Sequence, residues 1–169
     1  MKSLFTFLLI TLILQSCAYK AVPLKGTYQN GVVKSKVDLS FERTWEKVID
    51  MIASTGVSVK MIDKSSGLII GESGSFWQLV TIEDKRGKIM NPEFFIVRER
   101  MPTESKPLPF NAIATWNLRV KSLDNASSVI SVKLHTIRIE RPASALQFKG
   151  LSTGNFEKWM IDEIVKGGD

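Results

Sequence analysis

Apolar and polar residues change period several times along this chain, and each change marks an element. Over residues 32–39, Val33, Val37 and Leu39 lie on one side and Lys34, Lys36 and Asp38 on the other. That period of two predicts a half-buried strand. From Phe41 the period lengthens. Phe41, Trp45, Val48 and Ile52 recur at helical spacing, while Glu42, Arg43, Glu46, Lys47 and Asp50 fill the opposite side. This predicts a helix over residues 41–54 that packs its aromatic stripe on a sheet. Ser40 is the expected N-cap and Gly56 the left-handed stop.

Val57, Val59 and Met61 alternate with Ser58 and Lys60 in a second strand. Asp63-Lys64-Ser65-Ser66-Gly67 has turn chemistry, because Asp63 can bond the turn backbone and Gly67 can take a positive φ. A third strand follows over residues 68–72, and a fourth over 76–82. The cleanest alternation comes later. Ala112, Ala114, Trp116, Leu118 and Val120 face one way; Thr115, Asn117, Arg119 and Lys121 face the other. After a turn at Asp124-Asn125-Ala126, residues 128–139 return with Ile130, Val132 and Leu134 inward. Ile137 and Ile139 fall out of phase, which predicts a bulge. Ser152-Thr153-Gly154-Asn155 offers caps for a final helix bearing Phe156, Trp159, Met160, Ile161, Ile164 and Val165, stopped by Gly167-Gly168.

Residues 83–111 break the pattern. Pro92, Pro102, Pro107 and Pro109 exclude a long helix. An irregular excursion with one short strand over residues 94–98 is expected, either as a plain surface loop or as a binding loop. On the second reading Trp77, Phe94, Phe95, Arg98 and Arg100 are the candidate partner-binding residues. The whole predicts an α+β fold: a single antiparallel sheet with two helices packed on one face, in the order strand, helix, strands, long hairpin, helix, as one domain over residues 32–169.

The N-terminus carries a different signal. Lys2 precedes an apolar run from Leu4 to Leu14, interrupted only by Thr6 and Thr11. Crossing a bilayer takes about 20 apolar residues. This run is shorter and suits a secretory signal, residues 1–16. It ends in Leu14-Gln15-Ser16-Cys17, at the only cysteine of the chain. The stretch resembles the lipobox of bacterial lipoproteins, with Gln15 departing from the usual small or apolar residue. The resemblance implies lipid on the Cys17 sulfur, cleavage between Ser16 and Cys17, and membrane lipid as a partner. Ala18 and Tyr19, in place of an acid after the cysteine, imply the outer membrane, periplasm-facing. Residues 17–31, broken by Pro23, Gly26, Asn30 and Gly31, read as the lipidated tether.

Two stretches resemble the BamC-type domains of outer-membrane lipoproteins: Trp45, Val48 and Ile52 followed by Gly56-Val57, Val59, Asp63, Gly67 and Ile69, and Ser152-Thr153-Gly154 before the last apolar helix. The resemblance implies an antiparallel sheet with two helices on one face, and binding rather than catalysis. BamC-type lipoproteins carry two such domains and a long N-terminal arm; this chain has room for one domain and a short tether.

Charge and chemistry add little. There are 23 basic and 17 acidic residues, a formal charge of +6, with the basic residues spread among acids. Solvated faces account for that, and attraction to anionic lipid or an acidic partner is the functional alternative. No basic-aromatic motif points to nucleic acid. His135, the only histidine, reads as a strand-face residue rather than a catalytic one. No metal-ligand pattern, cofactor motif or catalytic set stands out, so the chain reads as non-enzymatic. The preferred function is a binding or adaptor domain for another envelope protein. The alternative is a small-ligand or lipid-binding module with an apolar cavity between helix and sheet.

Overall fold

A computed structural model of the chain describes residues 20–76, 78–140 and 148–167. Ser16, Cys17 and Trp77 lie outside the described residues.

The fold grows from one long hairpin. Strands β7 (Asn111–Ser122) and β8 (Ser128–Glu140) pair antiparallel, with Trp116 opposite Leu134, Leu118 opposite Val132 and Val120 opposite Ile130. Side chains directly opposite share a face, so all six stand together, and all six are buried. β1 (Val33–Val37) adds to β8, and β3 (Leu68–Gly71) adds to β7. β2 (Val59–Asp63) closes the far edge, and the two-residue β4 (Gly74–Ser75) pairs with β7. The sheet order is β1-β8-β7-β3-β2.

The helices α1 (Phe41–Thr55) and α2 (Asn155–Lys166) cover the face that carries Leu118 and Val132. α1 contributes Trp45, Val48 and Met51; α2 contributes Met160, Ile161 and Ile164. Fully burying one such side chain contributes about 1.5–3 kcal/mol, so this layer supplies most of the driving force. Ser40 caps α1 by accepting from the Arg43 amide, and Gly56 ends it at φ 68°. At α2 the cap falls within the expected stretch Ser152-Thr153-Gly154-Asn155. Gly154 stands at the N-cap with no side-chain bond, while Ser152 Oγ accepts from the Gly154 amide. The buried Glu157 takes the Ser152 hydroxyl (2.7 Å) and the Leu134 amide (2.9 Å). Leu134 lies beyond the reach of β1, which pairs with residues 128–132. Glu157 therefore satisfies a strand amide that β1 leaves open.

The bulge is present. Ile113 faces Arg138 and Thr115 faces His135, so the register slips between them. Thr136 sits at φ 52°, a left-handed conformation that is rare for a β-branched residue.

The fold class is mixed α and β with mostly antiparallel strands, but it holds two sheets, not one. β5 (Val80–Ile82), β6 (Ile96–Arg98) and β9 (Gly150–Ser152) form a second sheet, with β5 and β6 parallel. Every residue of β5 and β6 is buried. Strands buried on both faces show no alternation, so β5 and β6, expected as strands over residues 76–82 and 94–98, give no sign of which faces they bury or that they form a sheet of their own. Parallel pairing also needs a crossover of about a dozen residues or more, and residues 83–95 provide it. The excursion is thus the wiring of a small sheet.

The expected tether is also corrected in part. Its described portion, residues 20–31, lies along the domain: Val22 bridges Arg100 and Gln29 bridges Ser152.

Candidate functional site

Of the five residues expected to bind a partner, the four that are described do not form an exposed patch. Trp77 lies outside the described residues. Phe95 packs in a ring cluster, with centroids 5.6 Å from Phe156, 6.0 Å from Trp159 and 6.4 Å from Phe76. Phe94 is half-buried, and its carbonyl accepts from Thr153 Oγ1 at 2.6 Å. Arg98 is buried against Glu104 and lies flat over Phe110, 3.7 Å from the ring centroid. Arg100 donates to the carbonyls of Met101, Pro102 and Glu104. The reason is local. The apolar run 94–97 leads into the buried strand β6 (Ile96–Arg98) rather than a loop tip, and an arginine at its end can stay inside because a carboxylate six residues on neutralises it.

Among the described residues, a free surface lies elsewhere, on the face of the large sheet opposite the helices. Register decides what it carries. Lys34 and Arg119 both stand opposite Ser131, Lys36 and Lys121 both stand opposite Val129, and Lys133 stands opposite Asn117. These positions alternate with the buried ones, so the five cations share one face across β1, β8 and β7. Val129, Leu68, Ile70 and the exposed Met61 lie between and beside them. The face is hollowed into a shallow trough of about 510 Å³ lined by Lys34, Leu68, Asn117, Arg119, Lys121 and Lys133 among others. Lys36 has an exposed contact with Asp38 at 3.8 Å; none of the other ion pairs among the described residues involves these cations. Sequence alternation already put Lys34, Arg119 and Lys121 on polar sides; their convergence required the register.

His135 stands at the inner end of this face as a strand-face residue. Its Nδ1 is 3.1 Å from Thr115 Oγ1 and 2.9 Å from Thr136 Oγ1. Burial, then the charge of Lys133, holds its pKa below the usual imidazole value. The nearby Asn117 Oδ1 is buried without a hydrogen-bond partner. Among the described residues no group of three or more His, Cys, Asp or Glu side chains is placed to share a metal ion.

A second concavity, of about 340 Å³, lies between β1, α1 and α2. Val37, Leu39, Ile130 and Ile164 line its apolar part, with Lys36, Lys47 and the exposed Val165 at its margin. The space between α1 and the centre of the sheet is filled by Trp45, Val48 and Met51, so the concavity sits at the β1 side, away from the centre.

A third feature is the clamp that holds residues 25–28. The Glu83 carboxylate, itself 4% exposed, accepts from the Lys25 amide at 2.8 Å, the Gly26 amide at 2.7 Å and the Tyr28 hydroxyl. A Cβ on Gly26 would stand 2.9 Å from the Tyr28 oxygen and 3.0 Å from Glu83 Oε1, so the closeness of the clamp depends on glycine there. Burial, then the hydrogen bond to Glu83, raises the Tyr28 pKa well above the ordinary phenol value. Among the described residues no helix is long and apolar enough to cross a membrane.

No family model matches the sequence, and no curated protein matches it. One similar solved structure is a DUF4468 family protein from Bacteroides ovatus, at 12% identity and a TM-score of 0.38, covering 83% of this chain and 71% of that one. A likeness at that level transfers nothing about function.

Proposed function

We propose that the chain is a lipid-anchored, periplasm-facing binding domain of a bacterial outer membrane that acts as a non-catalytic adaptor for another envelope protein. The anchor reading rests on the signal and lipobox of residues 1–17, and the adaptor reading accords with the resemblance to BamC-type domains. The observation that carries the binding role is the open sheet face. Five cations and several apolar side chains share it, with the helices of the described residues packed on the opposite side. Such a face fits a partner surface that is acidic with apolar residues between its charges.

The test is cross-linking in intact cells, with mass spectrometry of what co-purifies. Wild type is expected to capture one stoichiometric envelope protein, and Lys34→Glu, Arg119→Glu and Lys133→Glu together are expected to release it while the chain stays folded. Unchanged capture by the triple variant would overturn the assignment to this face.

A second reading keeps the small-ligand or lipid-binding module. The observation favouring it is the apolar concavity beside β1, whose volume of about 340 Å³ falls within the range of small-molecule sites. A co-purifying small molecule displaced by Ile164→Trp would favour it.

A further inference from the structure

The clamp on residues 25–28 gives the N-terminus a fixed exit, and the exit carries charge. Lys25 Nζ donates to the Lys85 carbonyl at 2.8 Å. A Cβ on Gly87 would lie 3.1 Å from Lys25 Cβ, so the 84–88 turn packs on Lys25. The Asp84 carboxylate accepts the Arg86 amide at 2.8 Å and the Lys88 amide at 2.9 Å, which ties the acid into the turn. Lys25, Lys85, Arg86 and Lys88 are all exposed, and so is Lys20. None of the ion pairs among the described residues uses any of them. Met90, 38% exposed, follows the turn.

The covalent chain then limits the distance to the membrane. Val22 is fixed to Arg100, and Cys17 stands five positions before it. At about 3.3–3.6 Å per residue, that length spans at most about 18 Å. A lipid on Cys17 therefore keeps Val22 within about 18 Å of the headgroups, and the 84–88 turn packs on Lys25, three residues further along. The tether is short enough to let the turn come within a Debye length of the surface, where polybasic segments are attracted to anionic lipid.

We propose that this basic turn, with Lys20 and Lys25, rests on the anionic headgroups of the bilayer that holds Cys17, and so fixes the orientation of the domain. The proposal rests on the lipid-anchor reading and adds to it a second membrane contact. It puts the small sheet next to the bilayer. Lys36 and Lys121, beside the β7–β8 turn, sit at the end of the hairpin opposite the Arg138–Lys149 bridge, and the trough end they mark is directed away from the membrane.

The test uses the full native protein purified from membranes. Intact mass reports whether Cys17 carries lipid. The protein is then placed in phosphatidylcholine vesicles with and without phosphatidylglycerol, and lysines are labelled with an amine reagent. Expected is several-fold protection of Lys25, Lys85 and Lys88 only where phosphatidylglycerol is present, with Lys34 and Lys121 labelled equally in both. The variant Lys85→Glu, Arg86→Glu, Lys88→Glu is expected to lose the protection of Lys25. Each removed charge weakens the contact by about fivefold. A lipidated protein labelled identically in both vesicles overturns the proposal and leaves the anchor standing. An unlipidated Cys17 overturns both, because the length limit then has no fixed end.

Discussion

Arg98 and Glu104 face each other inside the protein: Arg98 Nη1 lies 3.0 Å from Glu104 Oε2, and each side chain is 1% exposed. The pair sits under the ring of Phe110, and Glu104 also accepts the backbone amides of Met101 (3.1 Å) and Leu108 (3.2 Å). One carboxylate thus neutralises a buried cation and pins the loop after β6. Its Arg98 Nε has no partner, so the cation is already short of one hydrogen bond.

The two partners are not equivalent. Glu104→Ala leaves a buried guanidinium uncompensated and two amides open, and is expected to cost about 3–5 kcal/mol. Arg98→Met keeps volume and leaves the carboxylate with two amide donors, so its cost is expected to be smaller. Urea unfolding of both variants checks the order. An Arg98→Met variant as unstable as Glu104→Ala would show that the cation, not the loop, is the essential partner.

Tyr28 and Glu83 predict an alkaline effect. The folded Tyr28 pKa is raised, first by burial and then by the Glu83 hydrogen bond. A raised folded value means the contribution to stability is complete below the unfolded phenol pKa of about 10 and is lost as pH rises above it. The chain has two tyrosines. Absorbance titration of the folded protein is expected to show Tyr28 ionising well above pH 10. Glu83→Gln is expected to bring Tyr28 down toward 10 and to raise amide exchange over residues 22–28. A Tyr28 that ionises near pH 10 in the wild type would contradict the clamp.

The elements legible in the sequence are those with one wet side. α1, β7 and β8 each bury one face, so Trp45, Val48, Leu118 and Val132 recur at a readable period. In the second sheet β5 and β6 are expected as strands, over residues 76–82 and 94–98, but their pairing with each other and with β9 is not. Val80, Ile82, Ile96 and Val97 are buried together with their neighbours Thr81 and Arg98, so nothing alternates. Arg98 and Glu83 were legible only as surface charges, because the groups that pair with them come from other loops. The open face was half legible. Alternation showed that Arg119 and Lys121 point away from the core, but not that Lys34, Lys36 and Lys133 join them.

Gly71 makes a second packing prediction. A Cβ there would stand 2.0 Å from Cε2 and 2.1 Å from Nε1 of Trp116. The indole lies directly over the strand backbone, so the glycine serves close approach rather than a turn. Gly71→Ala is expected to cost at least about 1–3 kcal/mol as an overpacked core. Trp116→Leu in the same chain is expected to recover part of that loss, although it weakens the wild type alone. Thermal unfolding of the two single variants and the double gives the coupling. Simple additivity would show that the backbone shifts enough to admit the methyl group.

Asp63 carries the acid-side prediction. Its carboxylate takes the Ser65 hydroxyl at 2.6 Å and the Ser66 hydroxyl at 2.7 Å, together with the Ser65 amide at 3.0 Å. The hydrogen bonds from Ser65, then Ser66, lower its pKa from 3.8 to about 2. A depressed folded value means the ionised form holds the β2–β3 turn. That contribution is present above the unfolded pKa of about 3.9 and fades as pH falls toward 2. Carboxyl NMR is expected to show Asp63 titrating well below the exposed acids. Ser65→Ala with Ser66→Ala is expected to return it toward 3.9 and to remove its share of the acid-dependent loss of stability between pH 4 and pH 2. If the double variant leaves the Asp63 titration in place, the backbone amides hold the turn and the serine hydroxyls are dispensable.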